Sequence, residues 1–207
     1  MKRDFWRLLQ AVVKGETSVV SRLLARSPEL AVVQLVVGAT RQKPSAFFFT
    51  DISHYVLAGD TALHMAAAAF QPRIAERLVR KGADCRARNR RGAEPLHYAA
   101  DTNHWSPVAQ RKTIEFLLAA GADPNALDKS GVTPLHRAIR TRSSGAVEAL
   151  VAGGADVHLQ NKRGSTPHQL ALQDTGRSGA GSRRARDEQR KIIAFLLEAG
   201  ASAEACP

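Results

Sequence analysis

Four nonapeptides align without gaps: GDTALHMAA at 59–67, GAEPLHYAA at 92–100, GVTPLHRAI at 131–139 and GSTPHQLAL at 164–172. Each is followed, after a variable interval, by an apolar segment ending in a Gly-Ala turn: RLVRKGAD, EFLLAAGAD, EALVAGGAD and AFLLEAGAS. From opening glycine to closing glycine the copies span 23 residues (59 to 82), 29 (92 to 121), 23 (131 to 154) and 36 (164 to 200). The opening glycines of the first two copies lie 33 apart, as do those of the last two. A short unit of this kind cannot bury its apolar faces alone, so the copies must stack on one another.

The residues inside the unit specify two helices. Thr133 and Thr166 are placed to cap a helix, and Pro134 and Pro167 fill its first turn, where a missing N–H costs little. Leu135, Ala138 and Ile139 follow at helical spacing, and the small residues at 66–69 and 99–100 allow close approach of neighbouring helices. A second helix carries apolar stripes: Ile114, Leu117 and Leu118; Val147, Leu150 and Val151; Ile193, Leu196 and Leu197. Gly82, Gly121, Gly154 and Gly200 suit the left-handed residue that ends it. Polar links such as DPNALDKSG (123–131) suit a turn and short hairpin between units.

In register and length, residues 59–202 resemble the ankyrin repeat, a unit of 33 residues with T-P-L-H-x-A, a β-turn and two helices. The resemblance implies a mainly α solenoid of paired antiparallel helices with hairpin fingers. The expected units are about 56–88, 89–127, 128–160 and 161–207. Residues 1–30 read as a degenerate capping unit, with DFWRLLQAVVKG as inner helix and TSVVSRLLARSPEL as outer. Between it and Gly59, the β-prone runs AVVQLVV (31–37) and AFFFTDI (46–52) predict an extended hairpin over 31–58. Phe47, Phe48 and Phe49 in it either pack on Trp6 and the first inner helix or form an exposed aromatic patch for a partner.

The longer units carry their extra residues between inner and outer helix. In the second, DTNHW precedes SPVAQRKTIEFLL, where Ser106 is a candidate N-cap and Trp105 stands near the loop tip. In the fourth, a Gly/Ser-rich stretch leads to Arg183, Arg184 and Arg186 near the start of the outer helix. His168 and Gln169 there replace Leu and His of the other copies, which predicts weaker packing.

Seven histidines and two cysteines raise the question of chemistry. His64, His97 and His136 recur by periodicity, and the resemblance implies a structural hydrogen bond to a neighbouring turn. His104 and Asp101 form a possible dyad, but no Ser or Cys nucleophile, paired acid or phosphate loop accompanies them. Cys85 stands where a small core residue is expected, and Cys85 and Cys206 have neither disulfide-framework nor zinc spacing. We expect a non-catalytic chain with no metal or cofactor. Charge interrupts the N-terminus at Asp4, Arg7 and Lys14, and no apolar run is long enough to span a bilayer, so a reduced cytoplasmic location is expected.

The net charge of +11 is distributed as +4 over residues 1–58, +5 over 59–91, −2 over 92–130, +3 over 131–163 and +1 over 164–207. It favours acidic partners, nucleic acid among them, although little basic–aromatic interleaving is present to stack bases. Arg86, Arg88, Arg90 and Arg91 fall in one finger, Lys129 and then Lys162 with Arg163 at matching places in the next two. Arg137 and Arg140 lie on the inner helix of the third repeat unit. The resemblance implies partner binding through finger tips and inner-helix ends lining a concave face. Unit by unit this gives Arg90, Arg91, Ala93, Asp101 and Thr102; Lys129, Ser130, Val132, Arg140 and Thr141; and Lys162, Arg163 and Ser165, with Trp105 as anchor. The expectation is a protein-interaction scaffold, monomeric alone, that docks an acidic or mixed-polarity protein partner, with nucleic-acid binding as the alternative.

Overall fold

A computed structural model describes residues 2–40, 45–101, 106–173 and 182–201. Its helices alternate between two layers. The inner layer holds α1 (Lys2–Val13), α3 (Ala62–Ala68), α5 (Pro95–Ala100), α7 (Pro134–Arg140) and α9 (Pro167–Leu172). The outer layer holds α2 (Thr17–Arg26), α4 (Pro72–Arg80), α6 (Pro107–Ala119), α8 (Ser144–Ala152) and α10 (Arg183–Glu198). Each inner helix packs on the next inner helix and on its own outer helix, and the outer helices likewise follow one another. The degenerate unit at the N-terminus is therefore a genuine helix pair, α1–α2.

The helix starts are set by side chains. Thr61, Thr133 and Thr166 accept the N–H of His64, His136 and Gln169 at 3.3, 3.2 and 3.2 Å. Ser182 caps α10 by accepting the Ala185 N–H at 3.1 Å. Ser106 holds the corresponding place before α6, but its hydroxyl makes no capping bond. The outer helices end alike: Ala83, Ala122, Ala155 and Ala201 donate back to Leu78, Leu117, Leu150 and Leu196, around Gly82, Gly121, Gly154 and Gly200 at φ of 89° to 92°. This paired closure satisfies the last carbonyls and needs a left-handed residue.

The segment after α2 departs from the expected hairpin. Residues 31–37 do not pair with 46–52. Instead β1 (Phe48–Phe49) pairs with β2 (His54–Tyr55) around a tight turn, Thr50–Ile52. The earlier run lies along the first finger: Leu35 and Ala39 donate to the Asp60 and Val56 carbonyls, both at 2.8 Å, and Leu35 accepts from Gly59 at 2.7 Å. Trp6 explains the pairing. Its ring stacks on Phe49 at 5.5 Å and meets Phe47 edge-on at 6.0 Å, which draws both onto α1. Of the two sequence alternatives, packing on Trp6 is therefore the one found for Phe47 and Phe49. Phe48 turns to the other side, against Tyr55 at 4.6 Å.

Candidate functional site

The site begins with what holds consecutive fingers together. In the first three repeat units the motif histidine works in two directions. Nδ1 of His64, His97 and His136 accepts the backbone N–H of Thr61, Glu94 and Thr133 at 3.1 to 3.2 Å. Nε2 then donates forward to the carbonyls of Ala93, Val132 and Ser165 at 3.1, 3.0 and 3.2 Å. Both nitrogens are occupied in the neutral ring, which leaves none for a metal or for proton transfer. Burial, the main cause, lowers the pKa of all three; in His97 the nearby Arg137 charge adds to it and the value falls to about 4.

An Asn or Asp three residues before the opening glycine shapes each tip. Asn89 Oδ1 accepts from Arg91 and Ala93, Asp128 Oδ1 from Ser130 and Val132, and Asn161 Oδ1 from Arg163 and Ser165, at 2.8 to 3.2 Å. The sequence reading missed these residues, although the recurrence N-R-R-G, D-K-S-G and N-K-R-G was visible. The first finger has Val56 there, and Asp60 substitutes by accepting the Leu57 N–H at 2.6 Å.

The tips are joined backbone to backbone. Arg90 donates its N–H to Ala58, Lys129 to Arg91 and Lys162 to Ser130, at 2.8, 2.9 and 3.2 Å. A Cβ added to Gly131 would lie 2.8 Å from the Lys162 backbone nitrogen and 3.0 Å from its Cγ, so the lysine stem crosses directly over the preceding tip.

Four carboxylates near the fingers turn inward, whereas Asp84 and Asp156, where the links begin, are exposed. Asp60 is fully buried and accepts from Asn89 Nδ2 at 2.8 Å and the Tyr98 hydroxyl at 3.1 Å. Asp101 and Asp128 both bind Arg137, at 2.8 and 3.1 Å. Burial alone would raise the Asp128 pKa, but the Val132 and Ser130 N–H groups and Arg137 outweigh it and hold the carboxyl below its ordinary range. The Glu94 carboxyl is pushed up by burial, which Arg88 offsets only in part. The cations of the tips point outward: Arg90, Arg91, Lys129, Lys162 and Arg163 are exposed. Arg90 also donates to the Ala39 carbonyl, while Arg86 and Arg88 are engaged by Asp123 and Glu94.

The predicted set thus divides. Ala93, Asp101 and Thr141 are buried, at 1%, 8% and 5% exposure, and serve internal contacts. Ala93 receives His64, Asp101 holds Arg137, and Thr141 Oγ1 donates to the Arg137 carbonyl at 3.0 Å. Val132 and Ser165 are half-buried and give their carbonyls to His97 and His136. Ser130 is exposed and Arg140 half-buried, the latter beside a small cleft lined by Ile139, Arg142, Leu170 and Gln189. Arg137, placed with Arg140 on sequence grounds, is sequestered by its two aspartates. Thr102, His104 and Trp105 lie outside the described residues. The Cys85 thiol is buried, and its pKa is raised by that burial and by Asp84. Among the described residues no helix is long and apolar enough to cross a membrane.

Three family models match: ankyrin repeats in three copies over residues 8–109, a single ankyrin repeat over 91–129, and ankyrin repeats in many copies over 117–171. Together they run without a gap from the first inner helix, α1, to the fifth, α9. The chain belongs to the ankyrin-repeat family. No curated protein matches it. Ankyrin repeats are in general protein–protein interaction modules, and typically non-catalytic ones.

Proposed function

We propose that this ankyrin-repeat chain is a non-catalytic scaffold that docks an acidic surface of a partner protein along its fingertips. The observation that carries this reading is the sorting of charge. Asp60, Glu94, Asp101 and Asp128 are turned into the stack, while Arg90, Arg91, Lys129, Lys162 and Arg163 stand exposed on tips tied by Arg90, Lys129 and Lys162 backbone bonds. Cations fixed on a rigid frame lose little entropy on binding and steer an oppositely charged partner over long range.

Nucleic acid is the weaker reading, because no aromatic side chain interleaves these cations to stack a base. The deciding experiment compares the wild-type chain with a variant carrying Arg91→Glu, Lys129→Glu, Lys162→Glu and Arg163→Glu. Partners captured by the wild type should be lost by the variant and released by salt. Equal capture by both would count against the fingertip surface, and tight binding to RNA or duplex DNA at low salt would favour the alternative.

A further inference from the structure

Each opening glycine is pressed against the tip that follows it. A Cβ on Gly59 would lie 3.1 Å from the Arg90 nitrogen, one on Gly92 3.1 Å from that of Lys129, and one on Gly131 2.8 Å from that of Lys162. Gly38 stands in the same relation to the first finger. A Cβ there would meet the Leu57 Cα at 2.6 Å and strike the Ala58 nitrogen. On either side of it, Leu35 bonds to Gly59 and Asp60 of that finger and Ala39 to Val56. Residues 36–38 are therefore one more tip laid against the first finger, although they lie outside the repeat frame.

In this register the tips read VVG (36–38), LAG (57–59), RRG (90–92), KSG (129–131) and KRG (162–164). The row is divided. Its last three tips carry the cations, its first two are aliphatic, and no carboxylate stands among the five. Leu57 is buried and Ala58 half-buried, but Val36 and Val37 are 82% and 60% exposed. That exposure belongs to the tip position and not to an end of the stack. Arg90 and Lys129 are exposed at the same place with a finger on either side. The Arg90 guanidinium joins the two halves of the row by donating to the Ala39 carbonyl, next to Gly38.

We propose that Val36 and Val37 are the apolar anchor of the fingertip surface, and that this surface takes an extended acidic segment of its partner with an aliphatic pair at one end. The inference rests on the fingertip reading and adds what holds the partner once charge has brought it in. The exposed tips form a single file, which fits one extended chain. Packed helices, and hence consecutive units, advance by about 10 Å, and an extended chain by about 3.3 Å per residue. A segment laid along the row thus meets a new tip at about every third residue. The cationic tips call for an acid at each of those positions. Two steps separate the RRG tip from the VVG tip, which puts the aliphatic pair about six residues from the nearest acid. The cations set the rate of association and its dependence on salt, and the valines set the residence time.

Fluorescence anisotropy of the full chain with three labelled synthetic peptides tests the anchor. One peptide has an acid at every third position. The other two add a Leu-Leu pair about six residues before the first acid or after the last. One of these two should bind about tenfold tighter than the acid-only peptide, the gain expected from covering an aliphatic side chain. Val36→Ser with Val37→Ser alters only exposed side chains, so the helical spectrum should be unchanged. This variant should lose the gain and keep its affinity for the acid-only peptide. Salt should weaken all three peptides by the same factor. The variant with Arg91→Glu, Lys129→Glu, Lys162→Glu and Arg163→Glu should lose all three. A leucine pair that adds nothing in either position, or a gain that survives in the valine variant, would overturn the anchor while the acid-only peptide still upholds the fingertip reading. If the wild-type chain binds none of the three, both fall.

Discussion

His97 Nε2 donates to the carbonyl of Val132 at 3.0 Å, while Nδ1 of the same ring accepts the Glu94 N–H at 3.1 Å. One imidazole therefore starts its own helix and fixes the finger of the following unit. The arrangement needs a neutral ring, because a protonated Nδ1 has no lone pair to accept with.

Acid should loosen the stack through this residue. Above 6.5, the ordinary histidine value, neither the folded nor the unfolded state binds the proton, and the full contribution is present. Between 6.5 and about 4 the unfolded chain binds it and the folded chain does not, so stability falls as pH falls. The depression corresponds to about 3 kcal/mol at most, fully lost below the folded value. His64 and His136 act in the same direction. Urea unfolding across this range should show the decline. In His97→Leu the decline should be shallower, with a loss of about 1–3 kcal/mol at pH 7.5 because the Val132 carbonyl and the Glu94 N–H lose their partners. Parallel pH profiles for the two proteins would refute the assignment.

Arg137 links two units by charge. Its guanidinium reaches Asp101, at the end of α5, and Asp128, in the third finger, with all three side chains at 9–12% exposure. Arg137→Met keeps much of the volume but leaves two carboxylates buried beside it without their cation. Breaking such a cluster costs about 3–5 kcal/mol. Adding Asp101→Asn should recover part of the loss, giving a clear coupling energy in a double-mutant cycle. A loss near zero for Arg137→Met would show that the cluster is open to water.

The repeat frame was legible because four copies in register outweigh any single propensity, and the first unit followed from its own apolar spacing at Val20, Leu23 and Leu24. Depth was not legible. Periodicity places Ala93 in one register with half-buried Val132 and Ser165, and Asp101 with half-buried Arg140 and exposed Gln173, but whether a given side chain there is covered depends on the neighbouring unit. Arg137 shows the same limit, since the aspartates that claim it are 36 and 9 residues away. The hairpin was misread for a related reason: the β-prone runs are local, whereas Trp6, which decides which of them folds back, lies some forty residues earlier. The Asn89, Asp128 and Asn161 series was local and periodic, and starting the alignment at glycine concealed it.

Removing the aromatic clamp should damage one end only. Phe49 is 9% exposed and stacks on Trp6. Truncating a buried phenylalanine costs about 3–5 kcal/mol. In a stack held by nearest-neighbour contacts that loss is borne by the adjoining units. Hydrogen exchange of Phe49→Ala should accelerate in α1, α2 and the 46–58 segment and remain near wild type in α7 to α10. Uniform acceleration along the chain would mean that the units unfold as one.

Two glycines separate backbone strain from steric contact. Gly121 and Gly131 both have positive φ, 92° and 68°. A Cβ on Gly121 would meet nothing within 4 Å, whereas one on Gly131 would meet the Lys162 backbone nitrogen at 2.8 Å. Gly121→Ala should therefore cost only the left-handed penalty of about 1–2 kcal/mol. Gly131→Ala should cost more, because the third and fourth tips must part and the Lys162 to Ser130 bond at 3.2 Å is lost. The same displacement moves Lys162 out of line with Lys129, so partner capture should weaken in Gly131→Ala and be unchanged in Gly121→Ala. Measuring stability by urea and capture by pull-down on the same two variants checks both statements, and equal behaviour in either assay would contradict the stacking of the tips.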